Sequence, residues 1–309
     1  MKLILILAFS IVLSNTIFCA NSNFIEIKSY NIVERYALMN EKKVIIIREM
    51  IISNETKLIL CLEPETLKTF LTNDSKYVVL KEEDFTNTLY SKIKSNFLSS
   101  NKTICEIENK KQKTKKCNIL LTTDLCPSTS RMDYDFYTNI KESEKVISNS
   151  IPFIIFFSGK WIETHKDALE WLKTNNLKFL AGNHTYHHHI IENNIPEEKL
   201  ISEITNTEIL MLKNGIVPSC FFRFPGLKYK KENLETLAKL NLIPLGVNLW
   251  IGQKYISEQS ILLVHSNGGM KVEVRMFKKF TKNFKTKLKN GKIRFLSPEE
   301  WFSLPFRYL

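Results

Sequence analysis

The spacing of apolar positions changes along this chain, and the changes predict its elements. Asn118-Ile119-Leu120-Leu121-Thr122-Thr123 is a short, nearly continuous apolar run, the pattern of a buried strand. Phe136, Tyr137 and Ile140 then recur at helical spacing. Further strands are expected at Ile151–Phe157, Lys178–Leu180, Cys220–Phe222, Pro244–Val247 and Ile261–Val264. Helical patterns lie between or after them at His165–Leu177, Pro196–Leu212 and, strongly basic, Val274–Leu288. Strands alternating with helices imply parallel pairing and right-handed crossovers, hence an α/β barrel or a doubly wound sheet. Both architectures gather their chemistry at the C-terminal ends of the strands.

Residues 21–115 have a different pattern. Short apolar runs, Val44–Ile47 and Tyr77–Leu80, are mixed with helix-like spacing at Leu67, Phe70 and Leu71. This predicts a small α/β region, which carries no catalytic signature. The polar stretch 107–117 is the expected linker. Ahead of these, Lys2 and the apolar run Leu3–Leu13 have the form of an export signal, too short to span a bilayer comfortably, with cleavage expected after Ala20. Cys19 leaves a lipid anchor open and an uncleaved segment is another alternative, so membrane association is expected only through this end. The predicted organisation is 1–20 signal, 21–115 small N-terminal region and 116–309 main domain. The predicted location is outside the cytoplasm: periplasmic, secreted or envelope-associated.

Composition changes this picture little. The 309 residues are 44% hydrophobic and 25% charged, as in a globular protein. The net charge of +12 favours anionic polymers. The densest basic cluster, Lys110–Lys116, has no interleaved aromatics, which argues against single-stranded nucleic acid as a partner. Removal of residues 1–20 would leave five cysteines. Cys105 and Cys117 flank the lysine-rich stretch, and their spacing suggests a staple across it.

Four residue groups carry candidate chemistry. Of only six histidines, four fall within Asn183-His184-Thr185-Tyr186-His187-His188-His189, just after a predicted strand. His184 and His188 have the spacing that, on a helical turn, puts two imidazoles on one face to share a metal. Asp124 ends the strand 118–123 and is placed as a base or ligand. Arg223, in Phe222-Arg223-Phe224-Pro225-Gly226, needs a carboxylate partner if buried, and Asp124 is a suitable one. His265 ends the strand 261–264 and suits a general acid.

In this order, these segments resemble the polysaccharide deacetylases that share the NodB homology domain, over about residues 118–304. The family's Thr-Phe-Asp-Asp-Gly motif corresponds to Thr122-Thr123-Asp124-Leu125-Cys126. Its His-Ser/Thr-x-x-His motif is matched by His184-Thr185-Tyr186-His187-His188, its Arg-x-Pro by Arg223-Phe224-Pro225, and its Leu-x-His by Leu263-Val264-His265. Trp250 stands where an Asp-Trp pair is usual, with Asn248 and Leu249 before it and no Asp. The resemblance implies a distorted (β/α) barrel with the small α/β region before it. It also implies a divalent metal, usually zinc, and hydrolysis of acetyl groups on an N-acetylated polysaccharide. By the same resemblance Asp124 is the base, held by Arg223, and His265 the acid. Trp250 either supports His265 or packs against the sugar, Pro225 belongs to the substrate-binding surface, and a backbone N–H within Pro225–Tyr229 stabilises the oxyanion.

Leu125 fills the slot of the family's metal-binding aspartate and cannot ligate. With His184 and His188 one ligand is missing, because a catalytic zinc usually keeps three. Asp133, just ahead of the helix bearing Phe136, Tyr137 and Ile140, is the candidate, with Asp135 and Asp124 as alternatives. These departures leave a non-catalytic glycan-binding relative as the alternative function. A metal-dependent hydrolase of cyclic amides on the same fold and a basic scaffold built on residues 21–115 are more distant ones.

Overall fold

The structure is a computed structural model describing residues 13–14, 26–74, 76–105, 116–190, 195–253 and 256–304. The expected export segment lies outside these residues except for Leu13–Ser14. Most of the expected linker lies outside them too. No helix among the described residues is long and apolar enough to cross a membrane.

Among the described residues, the N-terminal region is an antiparallel sheet with strand order β1-β5-β4-β3-β2-β6, a 3-10 turn at Glu82–Phe85 and one α-helix. Its strands are β1 Leu13–Ser14, β2 Ile27–Met39, β3 Lys42–Ile52, β4 Lys57–Leu62, β5 Thr69–Thr72 and β6 Val78–Val79; the helix is α1 Leu89–Ser100. Asn40 and Glu41, both at positive φ, make the tight turn that matches strand twist between β2 and β3. The helix-like spacing of Leu67, Phe70 and Leu71 is corrected here. Leu67 sits at φ 60 in a turn, and Phe70 and Leu71 pair with Cys61 and Leu60 across β4 and β5. Tertiary pairing overrides a weak local period.

From Cys117 onward strands and helices alternate. The strands are β7 Cys117–Leu125, β8 Phe153–Phe157, β9 Phe179–Asn183, β10 Pro218–Phe222, β11 Ile243–Pro244, β12 Leu249–Trp250, β13 Gln259–Leu263 and β14 Ile293–Phe295. The helices are α2 Tyr134–Ile147, α3 Gly159–Thr164, α4 Lys166–Thr174, α5 Glu197–Lys213, α6 Lys231–Lys239, α7 Lys271–Asn283, α8 Lys285–Lys289 and α9 Pro298–Ser303. Every pairing among these strands is parallel, in the order β11-β10-β9-β8-β7-β13-β12, with β14 beside β7. The sheet edges, β11 and β12, are consecutive in the chain. Only residues 245–248 join them, so the sheet must curl until its edges lie within a few residues' reach. This is the distorted barrel that the resemblance implies, and one of the two architectures that the alternating pattern allows. Ile104, from the N-terminal region, bridges to Leu245 at the open edge.

The two regions share one hydrophobic core. Ile45, Ile47, Leu60, Phe85, Tyr90 and Phe97 pack in the same cluster as Leu200, Ile204, Phe221, Leu237 and Ile243. At its centre Arg48 is fully buried and forms a two-pronged ion pair with Glu208 of α5, at 2.8 and 2.9 Å. Tyr30 donates to the same carboxylate at 2.7 Å. A second core, containing Ile119, Leu121, Leu125, Phe136, Phe153, Phe157 and Trp161, lies across the parallel sheet under α2, α3 and α4.

The expected staple between Cys105 and Cys117 is absent, since no disulfide joins the described cysteines. Cys105 is directed at Gly246, whereas the Cys117 thiol faces the Ile256 carbonyl at 3.9 Å.

Candidate active site

The residues singled out from sequence lie at the C-terminal ends of the parallel strands. Asp124 is the penultimate residue of β7, Asn183 of β9 precedes His184, Phe222 of β10 precedes Arg223, and His265 follows β13 by two residues. Trp250 ends β12 and pairs with Leu263, so its exposed ring stands at the same rim.

Strand alternation sets the geometry around Asp124. Successive strand side chains point to opposite faces. Leu125 therefore turns into the second core, while Thr122, Asp124 and Cys126 share the other face. Arg223, fully buried, crosses to that face. It donates to Asp124 Oδ1 at 2.7 Å and to Thr122 Oγ1 at 2.9 Å, and its other donors reach the Leu245 and Gly246 carbonyls. Its guanidinium lies 4.2 Å from the centre of the Phe156 ring. Burial alone would raise the Asp124 carboxyl. The charge of Arg223 outweighs it, with His184 and His265 adding to the effect, and the carboxyl sits below its ordinary value. Asp124 Oδ2 lies 3.8 Å from His184 Nε2.

The histidine segment is not helical. Thr185 and His188 both adopt left-handed backbone, at φ 64 and 62, and the chain folds back on itself between them. That turn, rather than a helix face, brings the His184 and His188 rings to 4.7 Å between centroids. The loop is fastened from several sides. Thr185 N–H donates to Asn183 Oδ1, His188 N–H to Thr185 Oγ1, and the N–H groups of Gly159 and Lys160 to the Thr185 and Tyr186 carbonyls. Gly159 is required by contact: a Cβ there would overlap the Tyr186 ring.

His184 Nδ1 lies 2.8 Å from the Arg223 carbonyl, which can only accept, so Nδ1 carries the proton and Nε2 presents a lone pair. Burial pushes the His184 imidazole down to about 4 and also lowers His188, which favours the neutral, ligating form of both. The Cys126 thiol lies 3.6 Å from His184 Nε2. Donor atoms of Cys126, His184 and His188 all fall within 4.8 Å of one another, a spacing that one ion can bridge. The donor set suits a borderline-soft divalent cation, and the tautomer of His184 is already fixed for ligation. Burial pushes the Cys126 thiol up, but a coordinated cation reverses that preference.

Asp133 does not join this group. Its carboxylate accepts from Gly268 N–H at 2.8 Å, and its own N–H donates to the Ser266 carbonyl. It thereby braces the loop after His265, where Gly268 takes φ 86. Asp135 is exposed. Sequence reasoning at Leu125 alone does not reach Cys126, the next residue on Asp124's face. The period of two was the available signal.

Glu273, in the first turn of α7, was also missed. Its carboxylate accepts from His265 N–H at 2.7 Å and lies 3.1 Å from His265 Nδ1. It thus sets a carboxylate beside His265, where the stretch before Trp250 has no aspartate. Burial would lower the His265 imidazole. The hydrogen bond to Glu273 and the charge of Asp124 outweigh it, so His265 holds its proton above its ordinary range. Pro225 is buried at the start of a short turn. The N–H groups of Leu227 and Lys228 close that turn on the Phe224 and Pro225 carbonyls, so neither serves as the expected oxyanion donor.

The family model described as polysaccharide deacetylase matches residues 110–244. A family 4 carbohydrate esterase from Bacillus anthracis is 21% identical, with a TM-score of 0.50 over 70% of this chain and 92% of that one. PdaA of Bacillus subtilis, a family 4 carbohydrate esterase, is 13% identical, with a TM-score of 0.50 over 68% and 88%. BA3943 of Bacillus anthracis, a CE4 family pseudoenzyme, is 16% identical, with a TM-score of 0.45 over 61% and 66%. At these identities the two structures with a TM-score of 0.50 are like this chain in fold alone.

Proposed function

This chain carries a domain of the polysaccharide deacetylase family, and we propose on that premise that it hydrolyses acetyl groups from N-acetylated sugars of a polysaccharide, such as peptidoglycan or an exopolysaccharide. The observation that carries the reading is the convergence of Cys126, His184 and His188 beside a carboxylate whose second oxygen stays on the site side.

Each residue then has a task. Asp124 is ionised at neutral pH, and Arg223 fixes its Oδ1, so Oδ2 is the atom that takes a proton from attacking water. Cys126, His184 and His188 would hold a divalent cation, which would supply Lewis acidity to the hydrolysis. Two imidazoles and a thiolate favour zinc over magnesium or manganese. His265, kept protonated by Glu273, delivers the proton that lets the amine leave as the C–N bond breaks, giving acetate and a free amino sugar. The exposed Trp250 ring offers a flat apolar face to a pyranose. Within the expected stretch Pro225–Tyr229, the N–H of Gly226 is the proposed oxyanion donor, since those of Leu227 and Lys228 close the turn. The first 20 residues support action outside the cytoplasm.

Leu125 and the thiol ligand favour a second reading, a glycan-binding relative without turnover. Acetate release from N-acetylglucosamine oligomers and from peptidoglycan, measured before and after chelation and zinc restoration, separates the two. Chelator-sensitive release supports the deacetylase. Glycan binding with no release at any metal supports the relative.

A further inference from the structure

The histidine loop has two faces, and the active site uses only one. His184 and His188 turn inward, while His187 and His189 are exposed on the outer face, their rings stacked 5.4 Å apart at 18°. Glu203 of α5 reaches the same place from beneath. Its carboxylate is only 3% exposed and accepts from Tyr186 N–H at 3.0 Å and His187 N–H at 2.7 Å, both through Oε2. Oε1 lies 2.7 Å from His187 Nδ1. Donor atoms of His187, His189 and Glu203 lie within 4.8 Å of one another, and this group shares no residue with the inner one.

We propose that this outer group is a second divalent-cation site, of two imidazoles and one carboxylate. Two neutral nitrogens and one anionic oxygen on one side of an ion, with solvent on the other, suit zinc and neighbouring first-row divalent metals. Two backbone N–H groups already orient the carboxylate, as outer hydrogen bonds do for ligands of established metal sites. The Lys199 ammonium, 3.3 Å from Oε1, now balances the buried charge. It is half exposed on a flexible stem, so an incoming ion can displace it. A cation here ties the loop to α5 directly behind His188 and so steadies the left-handed turn that presents the inner pair. Exposed ligands and competition from Lys199 make it the weaker of the two sites.

The test uses metal-free full-length protein and zinc alone, with bound metal counted by mass spectrometry after equilibrium dialysis and melting followed in parallel. Wild type is expected to bind two ions in two affinity classes. His189→Ala, a change of an exposed side chain, should lose only the weaker ion and the rise in melting temperature that accompanies it. His184→Ala should lose only the tighter one. Glu203→Gln, with its fold checked by circular dichroism, should match His189→Ala. One ion that His184→Ala removes and His189→Ala does not would overturn the outer site, as would two ions persisting in His189→Ala. One ion that only His189→Ala removes would support it while sinking the deacetylase site, so the two readings fail separately.

Discussion

Two buried arginines, Arg48 and Arg223, show how the same chemistry serves a seam and a site. Both are fully buried and both face a buried carboxylate. Arg48 uses Nε and Nη2 on both oxygens of Glu208 and places Nη1 on the Ile47 and Leu240 carbonyls, and Tyr30 adds a further donor. Every strong acceptor there is occupied, and the ion pair joins the N-terminal sheet to the barrel. Arg223 instead takes one oxygen of Asp124 and spends its other donors on Thr122 and two backbone carbonyls. Asp124 Oδ2 is left facing His184. A saturated pair holds structure together, whereas a half-saturated one leaves a charged oxygen facing the site, as the proposed base requires.

The sharpest way to break this contrast is at the reactive oxygen. Asp124→Asn should lower acetate release by roughly 10²- to 10⁴-fold, the range for a lost general base. Metal content by mass spectrometry should stay close to wild type. Full activity in that variant would remove Asp124 from its role.

The corresponding break at the seam should be read in stability. Arg48→Ala strands a buried carboxylate and should cost about 3–5 kcal/mol in denaturant unfolding. Replacing both partners, Arg48→Met with Glu208→Leu, should recover most of that loss and leave acetate release intact. At the site, Arg223→Met with Asp124→Leu should recover stability without recovering release. Equal behaviour of the two double variants would erase the distinction.

Glu273→Gln tests the acid side. His265 is held protonated above its ordinary range, so release should persist as pH rises until that raised pKa is passed. Removing the Glu273 charge lowers the His265 pKa. The alkaline limb of the rate profile should therefore move to lower pH while the acid limb stays in place. An unmoved alkaline limb would assign it to another group. Smallest of all, Trp250→Ala should raise KM by a few-fold, about 1 kcal/mol of lost ring contact, with melting unchanged.

Much of this was legible in the chain. The run 118–123 and the helix face Phe136, Tyr137 and Ile140 predicted β7 and α2 from local period alone. The cost of burying Arg223 pointed to Asp124. The His184/His188 spacing suggested the pair for a helical reason, although two left-handed residues bring the rings together. The N-terminal sheet was less legible because its order depends on pairings between distant strands, and β2 is half exposed without clean alternation. Asp133 is the expected ligand because it heads the helix face of Phe136, Tyr137 and Ile140, yet its carboxylate accepts from the Gly268 N–H. Glu273 could not be read at all, because its role depends on the position of α7's first turn relative to His265.

The central claim is that Cys126, with His184 and His188, grips a divalent ion beside Asp124. Anomalous diffraction at the zinc edge, from crystals of zinc-loaded protein, tests it most directly. The account predicts an anomalous peak bonded to Cys126 Sγ at about 2.3 Å and to both imidazoles at about 2.0–2.1 Å. No peak between those three side chains, or a peak ligated by Asp133 with Cys126 turned away, would contradict it.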